Sequence, residues 1–236
     1  MAGNHVTWYA ERFKWPLKKS NIIVEGDLDK AYFELADRLY YERTGRRLIG
    51  DDLSIFPTGT GEDGGTFGIC EHFPVIRKLV DMDVDTVGKA VFRIVALVDG
   101  DSAGKKAKKI LTSQNSRLIE CRDVFVLQRK MPRNTLEPKT LTRQIEDANQ
   151  QWRQLDCEIE DLISAELVDL FIEQDPRCMK VSPILHEGMH HYELQQGYKG
   201  KLCRFVEEYA SYEDIELVIE VLRSIRFYLG LNADGI

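Results

Sequence analysis

Three carboxylates directly follow two apolar runs, and their types and spacing suit the binding of a divalent metal ion. Glu25 follows the run at 21–24, and Asp99 and Asp101 follow the run at 94–98. Short, unbroken aliphatic runs are typical of buried strands in a parallel sheet, and ligand chemistry gathers at the carboxyl ends of such strands. Like charges held together repel, so a divalent cation or protonation must neutralise them at neutral pH.

The ligand types favour Mg²⁺ or Mn²⁺ over Zn²⁺. Asp99 and Asp101 stand two residues apart and can turn oxygen atoms to one ion, while no His or Cys lies near them in the sequence. Carboxylate oxygens are the ligands that these hard ions prefer. Catalysis on phosphate groups is the usual use of such an ion, and it often employs two ions.

Alternating apolar runs and helical patterns predict an α/β fold with a four-stranded, mostly parallel sheet. The predicted strands lie at 21–24, 52–57, 91–98 and 124–127. Helices are predicted after Glu25 as far as Gly45, over 67–80, and after Gly104. A glycine-rich loop at 58–66 precedes the second of these helices.

The chain changes character after the sheet region. Residues 141–171 are charged and helix-forming, no further strand is evident, and a final helix is predicted at about 212–229. One face of that helix carries an apolar stripe that indicates core or interface: Ile215, Val218, Ile219, Leu222, Ile225 and Leu229. We therefore divide the chain into an α/β core at 1–135 and a helical region at 136–236, which completes the active site or forms a partner interface.

The two motifs together resemble the Toprim domain of topoisomerases, bacterial primases and the OLD-family nucleases. The resemblance consists of an apolar run ending in Val24-Glu25-Gly26, a helix, and an apolar run ending in Asp99-Gly-Asp-Ser-Ala-Gly104. It covers about the first 130 residues, and it implies a Rossmann-like Toprim fold. In that family, the equivalents of Asp99 and Asp101 hold the ion, and that of Glu25 holds it or acts as a general base.

Two later segments resemble OLD-type nucleases in particular. The stretch at 157–162 is similar to an acidic element that follows the sheet there, which implies that Glu160, with Glu158 next, supplies a second metal site. The stretch at 197–202 is similar to a lysine-bearing segment of those enzymes. That resemblance implies an active-site lysine, with Lys201 as the first choice and Lys199 as the reserve, to stabilise charge on the transferring phosphate.

Several small or polar residues near the predicted strand ends are candidates for binding the substrate. Glycines let a phosphate approach the backbone closely, and lysines at the start of a helix can pair with it. The candidates are Gly26, Asp29, Gly59, Gly61, Gly104 and Lys105.

These observations predict a metal-dependent nuclease that cleaves phosphodiester bonds of DNA or RNA. OLD-type enzymes usually carry an ATPase in the same chain, but no Gly-x-x-x-x-Gly-Lys-Ser/Thr motif occurs here. The resemblance therefore implies a separate ATPase partner, or none, as in stand-alone Toprim proteins of phage defence. The helical C-terminal third, with the stripe at 212–229, is the expected docking surface for such a partner, and a homodimer remains open.

Charge, hydropathy and cysteine content limit the expected partners and cellular location of the protein. A formal net charge of −7 argues against a general nucleic-acid coat and predicts weak unaided capture of polyanions. Apolar runs are too short to span a bilayer and no signal-peptide pattern is evident, so we expect a cytoplasmic protein without membrane association. Five cysteines without a CxxC pair indicate neither a disulfide framework nor a cysteine-ligated zinc site.

Two alternatives stay open. The chain could be an inactive Toprim module within a larger complex, although a scaffold has no need of three repelling acids. The stretch His186-Glu-Gly-Met-His190 satisfies HExxH, a zinc-peptidase motif that requires both histidines on one helix face. Gly188 within it is a poor helix former, and that activity would leave Glu25 and Asp99 unexplained.

Overall fold

A four-stranded parallel sheet forms the centre of the molecule in the computed structural model, which describes residues 5–59 and 65–236. The strands run in the order β2-β1-β3-β4, and all three neighbouring pairs are parallel. Their bounds are β1 Ser20–Val24, β2 Leu53–Pro57, β3 Arg93–Val98 and β4 Val124–Val126. The predicted α/β class and parallel sheet are confirmed, and the carboxyl ends of β1 and β3 lie side by side at one edge.

Helices cover both faces of the sheet. Their bounds are α1 His5–Arg12, α2 Asp27–Thr44, α3 Gly65–Met82, α4 Ser102–Gln114, α5 Pro138–Ala148, α6 Ala165–Gln174, α7 Tyr198–Tyr209 and α8 Glu216–Tyr228. A short 3₁₀ helix at Ile159–Leu162 lies between α5 and α6. No helix among the described ranges combines the length and apolar character needed to cross a membrane.

Side chains alternate along each strand between two hydrophobic cores. Val24 and Leu97 face the core formed with α2 and the helices after β4, whereas Ile23 and Val98 face the core formed with α1, α3 and α4. The strands are therefore buried on both faces, which explains why most of their residues are apolar. The C-terminal helices complete one of these two cores.

The apolar stripe of the final helix lies inside the protein. All six of its residues are at most 4 % exposed, because α8 packs against α2 and the sheet. The expectation that this stripe offers a docking surface is therefore wrong. Its side chains already bury their apolar area within the chain, so none is left to recruit another protein.

A buried arginine fixes the final helix to the start of β2. Arg226 is 0 % exposed, and its Nη2 donates to Oδ2 of Asp52 at 2.7 Å. Its Nε also donates to the carbonyl oxygen of Asn232 at 2.7 Å. Such a buried cation is tolerated because its hydrogen bonds and its carboxylate partner offset the lost hydration.

A β-hairpin interrupts the predicted all-helical C-terminal region. Its strands are β5 Ile184–His186 and β6 Met189–His191, which pair antiparallel. Glu187 and Gly188 connect them with φ values of 49° and 74°, as a two-residue turn of type I′ requires. The expectation that no strand follows the sheet region is thus wrong, because this short hairpin lacks the apolar alternation of a longer strand.

Candidate active site

Glu25 and Asp99 meet at the carboxyl edge of the sheet, where β1 and β3 end. The main-chain N–H of Asp99 donates to Oε1 of Glu25 at 3.0 Å. The carbonyl oxygen of Glu25 also accepts from Oγ1 of Thr58 at 3.2 Å and from the N–H of Gly65 at 3.0 Å. Glu25 is therefore held between the end of β3, the end of β2 and the start of α3.

Asp101 serves as the N-cap of α4, and it lies close enough to raise the pKa of Glu25. Its Oδ1 accepts from the main-chain N–H of Gly104 at 2.7 Å. Burial is the main cause of the raised pKa of Glu25, the hydrogen bond from Asp99 opposes it, and the charge of Asp101 adds to it. One oxygen of Asp101 thus satisfies a helix end while its charge belongs to the acidic edge.

Gly104 is a packing residue in the structure. A Cβ atom at this position would come within 2.1 Å of the carbonyl oxygen of Asp99. The absence of a side chain lets the first turn of α4 lie directly against the end of β3. Gly104 thereby lets Asp99 and Asp101 sit on adjoining elements.

Asp29 joins the same cluster from the first turn of α2. Its Oδ2 accepts from the main-chain N–H of Gly26 at 2.8 Å, which closes the start of the helix. Burial raises the pKa of Asp29 to about 7. The hydrogen bond from Gly26 acts in the opposite direction, whereas the charges of Glu160 and Glu25 add to the rise.

Glu158 and Glu160 reach the cluster from the 3₁₀ helix, together with Lys199 from α7. Nζ of Lys199 lies 2.8 Å from Oε2 of Glu158 and 3.6 Å from Oε2 of Glu160. Burial alone would lower the pKa of Lys199, but the charges of Glu160 and Glu158 outweigh it and raise that pKa. Lys201, by contrast, is exposed and places its Nζ 4.0 Å from the ring centre of Tyr198. The structure brings Lys199, and not Lys201, to the acids.

The five acids form one electrostatic unit, which we call the carboxylate cluster: Glu25, Asp29, Asp99, Glu158 and Glu160. Burial raises the pKa of Asp99 well above its ordinary value, and the charges of the other four acids raise it further. Burial likewise raises the pKa of Glu160, against the effect of Lys199. Repulsion on this scale marks a place where added positive charge stabilises the protein.

A buried network behind the cluster holds the 3₁₀ helix in place. Oδ2 of Asp161 accepts from the N–H of Glu158 and from Nδ1 of His191, each at 2.8 Å. Its Oδ1 accepts from the N–H of Tyr192 at 3.2 Å. Nη2 of Arg129 lies 3.9 Å from Asp161 and donates to the carbonyl oxygens of Asp156 and His190 at 2.9 and 3.2 Å. No sequence motif singles out Asp161 or His191: the only signals are an acid beside Glu160 and a histidine directly after the HExxH stretch.

Whether the carboxylate cluster can bind a divalent ion depends on which ligand atoms it offers. The cluster offers only carboxylate oxygens, as Mg²⁺ and Mn²⁺ prefer. A cavity of about 10 Å³ lies between Asp29 and Asp99 beside Ile159, which is room for about one water molecule. Across the described ranges 5–59 and 65–236, no three His, Cys, Asp or Glu side chains are already gathered as a metal site. Hydrogen bonds and ion pairs within the protein engage several of the oxygens instead.

The remaining sequence candidates lie around this edge. Gly26 precedes α2 in extended conformation, and Gly59 follows the end of β2. Gly61 lies outside the described residues. Lys105 is exposed on α4 and its Nζ lies 3.1 Å from Oδ1 of Asp156, two residues before Glu158.

The HExxH stretch does not lie on a helix. His186 ends β5 and His190 is the middle residue of β6. His186 pairs with Met189 across the hairpin, and His190 pairs with Leu185. Directly paired residues share a face and successive residues alternate, so the two histidines point to opposite faces. The helical geometry that the zinc-peptidase alternative requires is therefore absent at these residues.

Comparison of the chain with protein-family models, with curated proteins and with solved structures found no match.

Proposed function

We propose that this chain is a divalent-metal-dependent nuclease of the Toprim type, with the carboxylate cluster as its centre. One observation carries the proposal: acids from four separate segments converge at the carboxyl edge of a parallel sheet, where burial raises the pKa of Asp99 and the charges of the other acids raise it further. Burying mutually repelling acids costs stability, so their convergence is expected where a bound cation offsets it. This is also the edge at which ligands bind in open α/β sheets.

In this proposal the acids of the site bind the metal ions, and Lys199 contacts the phosphate of the substrate. Asp99, Glu25 and Asp101 would hold one Mg²⁺ or Mn²⁺, and Glu160 with Glu158 would contribute to a second. Bound ions of this kind supply an activated water and stabilise charge on the phosphate. Lys199 would exchange part of its pairing with Glu158 and Glu160 for the phosphate oxygens, because it carries its charge at the cluster.

The expectation of a weak, assisted nuclease follows from the charges around the site. The formal net charge is −7, and Lys105 and Lys108 pair with Asp156 and Glu120. Lys105 and Lys108 are thus engaged by acids, so we expect metal ions or another protein to supply part of the attraction to a polyanion. A separate ATPase partner and a role in phage defence follow from the resemblance to OLD-type proteins alone.

A second candidate is an inactive Toprim module within an assembly. It is favoured by Lys199, whose ion pairs with Glu158 and Glu160 partly neutralise the cluster from within the chain. In this case the cluster would bind metal weakly and cleave nothing. Binding and cleavage measurements together separate the two candidates.

Incubation with supercoiled plasmid and with total RNA tests the proposal. Purified protein is incubated with Mg²⁺, Mn²⁺ or EDTA, at low and at physiological salt. We expect metal-dependent cleavage that is lost in Glu25→Gln and Asp99→Asn, while Glu173→Gln, an exposed acid on α6, serves as the matched control. Equal cleavage by the wild type, Glu25→Gln and Asp99→Asn would exclude the cluster as the centre. Metal binding without cleavage would favour the inactive module.

A further inference from the structure

A groove of about 470 Å³ runs between α4, the edge strand β4 and α5. Its volume lies in the range of small-ligand sites, about 300–1,000 Å³. It is formed by elements that the carboxylate cluster does not use. Nothing in the proposed nuclease chemistry accounts for it.

Across residues 5–59 and 65–236, the floor of the groove presents hydrogen-bonding groups that have no partner within the protein. The N–H of Leu127 donates to the carbonyl oxygen of Val98, so the peptide groups of Val126 point away from β3 into the groove. The amides of Gln128 and Gln150 also line it, and neither makes a side-chain hydrogen bond within the part of the chain that the structure describes. The groove thus offers donors and acceptors together over a short span.

The groove is lined by three cations and three acids. Both carboxylate oxygens of Glu120 lie 2.8 Å from Nζ of Lys108, while Glu146 and Asp147 stand with Arg153. Lys105, which is exposed and pairs with Asp156, is the cation at the end nearest the cluster and can exchange that pairing for an anion. A neutral group with polar edges suits the interior, whereas an anionic group suits the end at Lys105.

The segments that line the groove continue directly into those that carry the carboxylate cluster. The N–H of Gly100, next to Asp99, donates to the carbonyl oxygen of Cys157 at 2.7 Å. A Cβ at Gly100 would lie 2.5 Å from the carbonyl oxygen of Leu127 and 2.9 Å from Cβ of Cys157. Leu155 lines the groove two residues before Cys157, while Glu158 follows it directly. A ligand in the groove is therefore a short distance from the acids.

We propose that this groove binds an unpaired nucleobase of the strand whose phosphodiester lies at the carboxylate cluster. The inference rests on the proposed nuclease function and deepens it by naming a substrate subsite. The amides of Gln128 and Gln150 and the peptide groups of Val126 read the edge of the base. Lys105 contacts the adjoining phosphate.

A peptide strand added to β4 fits the groove less well. Strand addition draws its affinity from several main-chain hydrogen bonds in register. β4 has three residues, and the outward groups of Val124 already contact Ile119 and Cys121 through their backbones. A single donor and acceptor at Val126 match the edge of one base better than the backbone of a strand.

Binding measured in EDTA tests the subsite without any cleavage. Fluorescein-labelled homopolymers of about eight nucleotides, dA, dC and dT with their RNA equivalents and one duplex, are titrated by fluorescence anisotropy. We expect single strands to bind better than duplex, with about a fivefold or greater preference among the bases. Gln128→Ala and Gln150→Ala should each reduce that preference to about twofold or less, whereas Gln174→Ala, an exposed amide on α6, should leave it unchanged.

Photocrosslinking locates the base directly. An oligonucleotide containing 5-iodouracil is irradiated with the wild-type protein, and the modified peptide is identified by mass spectrometry. We expect crosslinks within 126–128 or 142–155, and unchanged thermal melting of both Gln variants shows that they are folded. Crosslinks elsewhere, no preference among bases in the wild type, or a preference retained in both Gln variants would overturn the subsite. Base-selective binding lost in these variants, without cleavage under any metal, would uphold the groove and overturn the nuclease.

Discussion

The main-chain N–H of Asp99 donates a 3.0 Å hydrogen bond to Oε1 of Glu25, so the end of β3 is tied to the side chain that ends β1. This bond fixes the Glu25 carboxylate by backbone geometry rather than by a counter-charge. The residue that donates this bond, Asp99, also carries the second carboxylate. The two acids are therefore held together even though their charges repel.

Replacing Asp99 by Asn should make the metal-free protein more heat-stable at pH 8. Burial and the charges of Asp29 and Glu25 raise the pKa of Asp99 well above its ordinary value, and the pKa of Asp29 is raised to about 7. A carboxyl group whose pKa is raised in the folded state makes the protein less stable as the pH rises. The loss begins near the pKa of the unfolded chain, about 4, and is complete above the pKa in the folded state. We expect a Tm gain of about 2–4 °C for each kcal/mol of repulsion removed.

The gain should shrink at pH 4.5, because the raised pKa of Asp99 keeps its carboxyl protonated there in the folded wild type. Calorimetry in EDTA at both pH values measures it, with Asp147→Asn as the exposed control. Addition of Mg²⁺ at pH 8 should stabilise the wild type and have little effect on Asp99→Asn. A wild type whose metal-free stability rises between pH 5 and pH 8 more steeply than that of Asp99→Asn would contradict this account of the cluster.

Lys199→Met should reduce cleavage by about 10²- to 10³-fold, the usual cost of removing one charge-stabilising donor. Lys201→Met is the matched control, because Lys201 is two residues away on the same helix and lies over the Tyr198 ring. Single-turnover rates with saturating Mn²⁺ separate this effect from substrate binding. The reverse pattern, with Lys201 essential and Lys199 dispensable, would assign the active-site lysine to the first choice of the sequence analysis.

Asp161→Ala should destabilise the protein by about 3–5 kcal/mol, because it leaves the buried Arg129 without a carboxylate. It also removes the acceptor for the N–H of Glu158 and for His191. Asp156→Ala, which breaks an exposed pair with Lys105, should cost about 0–1 kcal/mol. Urea unfolding at pH 7 measures both variants, and similar costs for the two would refute a structural role for the buried network.

Gly104→Ala should lower both stability and cleavage. The added Cβ would lie 2.1 Å from the carbonyl oxygen of Asp99, so either α4 or the end of β3 must shift. Gly200→Ala in α7 meets no atom within 4 Å and should be neutral or stabilise by about 0.5–1 kcal/mol. Thermal melting and plasmid cleavage are compared for the pair. Wild-type behaviour of Gly104→Ala would show that the end of β3 tolerates displacement.

His186→Ala and His190→Ala should leave cleavage and zinc content unchanged. The hairpin directs the two side chains to opposite faces, so they cannot share an ion in the manner of a helical HExxH motif. Elemental analysis of protein purified without chelator should give well below one zinc per chain. Stoichiometric zinc that is lost in either variant would restore the peptidase alternative.

The sheet and the meeting of Glu25 with Asp99 could be predicted because both follow from local pattern. Aliphatic runs identify buried strands, and parallel strands place their carboxyl ends at one edge. The choice between Lys199 and Lys201 could not be made in this way. Both precede the apolar part of α7, and only the start of that helix after Gly197, at φ 83°, decides which lysine faces the acids.

The hairpin and the covered stripe show where local pattern fails. His186 and His190 satisfy a five-residue helical motif, but positive φ at Glu187 and Gly188 turns the chain back instead. An apolar stripe such as that of α8 has the same sequence pattern whether it packs within its own chain or against another protein. Its burial against α2 depends on residues far away in the sequence, which periodicity does not report.

The contact between Arg226 and Asp52 means that the candidate site can be completed only late in synthesis of the chain. The two residues are 174 positions apart in the sequence. At the usual rate of protein synthesis, roughly 10–30 s pass between the synthesis of Asp52 and that of Arg226. Throughout that interval one face of the sheet lacks α8, and the acids at its edge gain Glu160 and Lys199 only 108 and 147 residues after Asp52 (160 − 52 and 199 − 52). We expect the nascent chain to be inert beside ribosomal and messenger RNA, and the centre to come together in one late step of folding.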